Sequence, residues 1–147
     1  MADTLVLTLD GGDVTIKLRP DLAPQHVARI TELTKEGFYD GLTFHRVIDG
    51  FVAQGGCPDG RGTGGTGKKI PAEFNEAPHE RGADALARTN DPNSADCQFF
   101  ICLHAVNFLD GQYTVWGQVI DGMDHVDALP KGEPPREPGK IHKAVIQ

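Results

Sequence analysis

No stretch of this sequence approaches the roughly 20 consecutive apolar residues of a bilayer-spanning helix, so no such helix and no membrane partner are expected. The opening Met1-Ala2-Asp3-Thr4 lacks the basic start and apolar run of a secretory leader, so the expected compartment is cytoplasmic. Cysteine is scarce and odd in number. Cys57, Cys97 and Cys102 do not make the even set of a secreted disulfide framework. Cys97 and Cys102 lie five apart in a strand-like run, an odd offset that sends them to opposite faces and denies them a shared metal. All three read as small apolar packing groups. An excess of positive charge is missing as well. The formal net charge of −7 repels phosphate backbones, so no nucleic-acid partner is expected.

The usual signatures of bond-making catalysis are equally absent. His26, His45, His79, His104, His125 and His142 form no HExxH pair and no Cys/His zinc spacing, and they read as surface or structural residues. No GxSxG elbow offers a nucleophile. Gly62, Gly64 and Gly67 satisfy GxGxxG, and Gly62 through Lys68 comes within one residue of a phosphate-binding loop. Lys69, however, stands where a magnesium-binding hydroxyl belongs, and Ile70-Pro71 opposes the helix that would have to follow. The stretch reads as a mobile surface loop. No metal and no cofactor are expected.

What the sequence does contain is enough for one folded domain, residues 1–147. A chain of this length buries a core without staples. The 39% apolar content excludes its 18 glycines and does not indicate disorder. Leu5, Leu7 and Leu9, then Val14, Ile16 and Leu18, alternate on either side of Gly11-Gly12 and read as an antiparallel hairpin with one apolar face. Pro24, Val27, Ile30 and Leu33 change to helical spacing, with Gly37 placed as the stop, so a helix is predicted over about Pro24 to Glu36. Strands are predicted near Leu42–Ile48, Phe51–Gln54, Gln98–Leu103, Tyr113–Ile120 and Ile141–Ile146. Gly55 to Arg81 reads as long surface loops, and a short helix is predicted over Met123 to Leu129. Many strands with two helices suggest a barrel or a sandwich.

Two segments carry unusual chemistry. In Phe44–Gly56 an arginine, Arg46, sits within an apolar run, where its donors require partners. The plain alternative is an edge arginine whose stem covers apolar surface. Gln98-Phe99-Phe100-Ile101-Cys102 adds aromatics and an amide to what is otherwise core strand.

Taken in order, FHRVIDGFVAQGG (Phe44–Gly56), the GTGG of Gly62–Gly65, Gln98-Phe99-Phe100-Ile101, Phe108-Leu109-Asp110-Gly111, Trp116-Gly117 and Gly122-Met123 resemble the cyclophilin family of peptidyl-prolyl cis-trans isomerases along essentially the whole chain. The resemblance implies a closed eight-stranded antiparallel β-barrel capped by two helices. It also implies Arg46 as the catalytic residue and a substrate groove lined by Phe51, Val52, Gln54, Gln98, Phe100, Phe108, Leu109 and Tyr113. Ala87 joins that groove, with backbone contacts from Arg88 or Thr89.

The implied activity is rotation about Xaa-Pro bonds in unfolded or flexible proline-containing polypeptides, assisting folding, by a monomer. The family often has Met at Val52, Trp at Phe108 and His at Tyr113, with Leu86 replacing a further common Met. Losing the tryptophan donor predicts weak cyclosporin binding with catalysis retained. Two rival readings are a non-catalytic proline-peptide binding module and a barrel holding a small apolar ligand.

Overall fold

In a computed structural model, residues 4–58, 60, 65–89, 91, 93–133 and 135–147 are described. The period-two runs form β1 (Thr4–Thr8) and β2 (Asp13–Leu18), paired in antiparallel register from Thr4↔Lys17 to Thr8↔Asp13. The turn between them closes through the Leu9 amide on the Gly12 carbonyl at 3.0 Å. Alternation then delivers Leu5, Leu7, Val14, Ile16 and Leu18 to the main core.

Helix α1 (Pro24–Lys35) buries Val27, Ile30, Leu33 and Thr34 along one face. Its N-cap, Ala23, has no side chain able to accept from the first-turn amides. Glu73, far along the chain, supplies that acceptor: its carboxylate takes the Gln25 and His26 amides at 3.2 and 2.9 Å. The helix stops at Gly37 (φ 75°), where the Gly37 and Phe38 amides bond back to the Thr34 and Leu33 carbonyls.

The remaining strands are β3 (Arg46–Val47), β4 (Val52–Gly55), β5 (Ala83–Leu86), β6 (Phe99–Cys102), β7 (Val115–Asp121) and β8 (Lys143–Ile146). A second helix, α2 (Met123–Asp127), is shorter than the predicted Met123–Leu129 and takes only Ala128 as its cap. It follows Gly122, whose φ of 85° favours glycine and where a Cβ would collide with the Asp13 carbonyl. No helix among the described residues is long and apolar enough to cross a membrane.

The eight strands form one antiparallel sheet in the order β3-β4-β6-β5-β7-β2-β1-β8. The expected closed barrel is corrected here, because the ladder is open: β3 and β8 end it and do not pair among the described residues. The seam lies just upstream of both strands. Leu42 to Phe44, the start of the expected Leu42–Ile48 strand, instead cross residues 139–141 through the isolated bridge Thr43↔Lys140. Bonds from Phe44 N to Gly139 O (2.9 Å) and from Ile141 N to Leu42 O (2.8 Å) hold the crossing.

β5 was not predicted. Ala83-Asp84-Ala85-Leu86 has no β-branched or aromatic residue, so local preference says nothing. Pairing with β6 on one side and β7 on the other makes it a strand.

The sheet separates two apolar clusters. The larger, inside, holds Phe44, Leu86, Phe99, Ile101 and Trp116 with α1 and α2 packed over it. The smaller, outside, holds Val52, Ala85, Phe100, Cys102, Leu109 and Val115. Cys97 belongs to the first and Cys102 to the second, so these cysteines do point to opposite faces. Burial pushes both thiols up to about 12 and leaves them as packing groups.

Candidate active site

The outer face owes its composition to register. Across the sheet Arg46 pairs with Gln54, Gln54 with Phe100, Phe100 with Ala85, and Ala85 with Val115. Directly opposed residues share a face, so a cation, an amide and an aromatic ring stand in one row on rigid backbone. Val52 and Gln98, each two residues from a member of the row, fall on the same side.

The guanidinium of Arg46 is held from two directions. Its Nε donates to Glu133 Oε1 at 2.8 Å, and its Nη1 donates to Gln54 Oε1 at 3.3 Å. Gln54 Nε2 in turn donates to Gln98 Oε1 at 3.2 Å, which fixes the amide with its oxygen toward the cation. Nη2 has no partner among the described residues. Beneath, the Phe51 ring centre lies 5.7 Å from the guanidinium carbon, a cation–π contact. Arg46 sits on the edge strand of the sheet and faces a hollow.

That hollow has a volume of about 550 Å³. Val52, Phe100, Leu109 and Tyr113 form its apolar wall, with Phe51 and Ala87 at its sides and Arg46 and Gln54 at its polar end. Phe100 is wedged between rings: Tyr113 meets it edge-on at 5.4 Å and His79 stacks behind it at 6.2 Å.

The loop carrying Leu109 and Tyr113 includes a 3-10 turn, Asn107–Leu109, and is pinned at both ends. Asp110 Oδ1 takes the His79 amide at 2.7 Å and faces His79 Nδ1 at 3.1 Å. Arg88 lies over the Tyr113 ring at 4.6 Å and donates from Nε to the Gln112 carbonyl at 3.0 Å. Burial lowers the His79 pKa despite Asp110, so this imidazole is a neutral, packed residue near pH 7.

The structure therefore brings Arg46, Phe51, Val52, Gln54, Ala87, Phe100, Leu109 and Tyr113 around one cavity. Gln98 is linked to the cavity through Gln54, whose Nε2 donates to its Oε1. Phe108 is placed differently from the wall position the resemblance implies. It is 73% exposed at the rim and stacks on Phe51 at 6.0 Å. Arg88 lines the cavity with its Nε bonded to the Gln112 carbonyl, and the Thr89 amide donates to Ser94 Oγ at 2.9 Å. Gly62 and Gly64 of the glycine-rich loop lie outside the described residues.

Glu133 and His45 also line the cavity and were not singled out. Glu133 follows a bridge formed by residues remote in sequence, and no spacing pattern points to it. His45 adjoins Arg46, and strict strand alternation puts neighbours on opposite faces, so periodicity alone does not bring both to one cavity.

The family model for cyclophilin-type peptidyl-prolyl cis-trans isomerases matches residues 4–146. A probable peptidyl-prolyl cis-trans isomerase of Brucella suis biovar 1 is 47% identical over a 162-residue alignment covering 99% of this chain and 83% of that protein. Peptidyl-prolyl cis-trans isomerase B of Bacillus subtilis is 43% identical over 129 residues, 87% of this chain and 90% of that one. A cyclophilin from Hirschia baltica superposes with a TM-score of 0.91 at 30% identity, over 99% of this chain and 74% of that chain. A Cryptosporidium parvum cyclophilin-type isomerase, crystallised in the presence of the dipeptide Ala-Pro, gives 0.92 at 29% identity over 98% of both chains.

Proposed function

Because the chain belongs to the cyclophilin-type peptidyl-prolyl cis-trans isomerases, we propose that it turns Xaa-Pro bonds of flexible polypeptides in the hollow beside Arg46. The observation that carries this assignment is a guanidinium tethered by Nε and Nη1, with Nη2 left unengaged by the described residues beside an apolar wall.

Rotation about an amide must break C–N conjugation, at a cost of about 18–20 kcal/mol. No covalent bond to the client forms or breaks, so neither a nucleophile nor a proton-transfer pair is required. As the bond twists, the proline nitrogen becomes pyramidal and regains its lone pair. A donor aimed at that nitrogen stabilises the twisted form over both planar isomers, which is the differential binding that lowers a barrier.

Arg46 has that role. Guanidinium groups stay charged at working pH, and the fork is planar and rigid. Val52, Phe100 and Leu109 form the socket for the pyrrolidine ring, and water excluded from it strengthens the cation's field. Gln54, held by Gln98, fixes the approach angle of Arg46. A module that only docked proline would need the socket but not the Arg46–Gln54–Gln98 relay. An Ala-Pro dipeptide as the crystallisation partner of a similar enzyme supports the same ligand class.

Titration with an unlabelled Xaa-Pro peptide is expected to shift the amide NMR signals of Arg46, Gln54 and Phe100. Shifts confined to the opposite side, around α1, would displace the site.

Cyclosporin should bind weakly while catalysis persists. Phe108 has no indole N–H to donate, and most of its ring is in solvent. Inhibition at nanomolar concentration would contradict this.

A further inference from the structure

Glu133 reaches the site through backbone pairing. Val47 and Gly132 exchange both hydrogen bonds, at 2.9 and 2.8 Å, across an isolated antiparallel bridge. In an antiparallel crossing the residue before Val47 faces the residue after Gly132. Arg46 and Glu133 are therefore set opposite each other by the chain itself, and the 2.8 Å contact follows. The carboxylate is spent only in part. Oε1 accepts from Nε, whereas Oε2 has no partner among the described residues, and the side chain is 56% exposed on the cavity lining.

Two electrostatic consequences follow. The charges of Arg46 and Glu133 cancel formally, so Arg46 itself does not draw acidic segments as a bare arginine would. The unengaged oxygen also presents negative charge beside the bond being turned. A lysine or arginine flanking the client proline is attracted there, and an aspartate or glutamate is repelled. The other cation on the lining, Arg88, sits over Tyr113 with its donors turned to the Gln112 and Thr89 carbonyls.

We propose that Glu133 is the specificity-determining residue of this isomerase, giving it a preference for proline segments with basic rather than acidic neighbours. The inference rests on Arg46 being the reacting centre.

The test measures kcat/KM by NMR exchange on short peptides carrying Lys, Ala or Glu before or after proline, using wild type and Glu133→Gln. Wild type is expected to favour Lys over Glu at one of the two positions by about fivefold, the scale of attraction plus repulsion at a half-exposed charge. That ratio should shrink between about 0.02 and 0.5 M salt as the Debye length falls. Glu133→Gln keeps an acceptor for Nε and should bring the ratio close to one.

A wild-type ratio near one at low salt, or a ratio that Glu133→Gln leaves unchanged, overturns the proposal. The salt series on wild type decides even if the variant folds poorly. Failure of the underlying site is distinguishable, since it appears as full turnover on the Ala peptides after Arg46→Ala.

Discussion

Arg46→Ala is expected to lower kcat/KM on a short Xaa-Pro peptide by about 100- to 1000-fold, the range found when one preorganised donor is removed from a water-poor site. Each factor of ten corresponds to about 1.36 kcal/mol of lost transition-state stabilisation. The fold should barely register the change. The Arg46 side chain is 38% exposed and its partner Glu133 more so, and such a pair contributes at most about 1 kcal/mol. Arg46→Lys should recover little, because one ammonium cannot hold Glu133 and Gln54 in a planar fork while also facing the imide nitrogen. Circular dichroism and thermal melting measured beside the isomerase assay separate the two effects. An alanine variant with more than a third of wild-type kcat/KM would remove Arg46 from the reaction.

Asp84→Asn should make the protein more stable, by a margin that grows with pH. Asp84 sits on β5 between Ile101 of β6 and Gly117 of β7 and is fully buried. Neither carboxyl oxygen has a hydrogen-bond partner among the described residues. Burial alone raises its pKa well above the usual carboxylate range. The folded protein therefore keeps a proton that the unfolded chain releases near pH 4.

The sign of the effect follows from that difference. Stability from this group is full below the unfolded value. It declines as pH rises toward the folded value, by about 1.4 kcal/mol per pH unit. Carboxylates such as Asp127 act in the opposite sense: the bond from Arg81 holds its pKa low, so their contribution is lost as pH falls. Comparing wild type with asparagine isolates position 84, because asparagine preserves the shape and cannot ionise. The gap in Tm should widen by roughly 3–6 °C per pH unit above pH 4, given about 2–4 °C per kcal/mol for a chain of this size. Parallel pH profiles for the two proteins would mean that Asp84 meets a compensating partner.

The features legible in the sequence were those written locally. Leucines alternating around Gly11-Gly12 specify the hairpin, and the run from Pro24 to Gly37 specifies a helix with both its ends. Arg46 was visible because a cation in an apolar run needs a reason, and the ordered set of motifs then supplied the family. What could not be read depends on partners distant along the chain. Ala83-Asp84-Ala85-Leu86 is a strand only because two neighbours pair with it. The α1 amides find their acceptor on Glu73, and the seam joins residues 41–44 to 139–141. Glu133 is the same case within the site, brought to Arg46 by a crossing that no local pattern encodes.

The guanidinium, its partner Gln54 and the central ring stand on paired strands, whereas Leu109, Tyr113 and Glu133 arrive on loops tied down from outside. The loop-borne wall can therefore vary in sequence without disturbing the strand-borne pair: exchanging Tyr113 alone would reshape the hollow while Arg46 keeps its bond to Gln54.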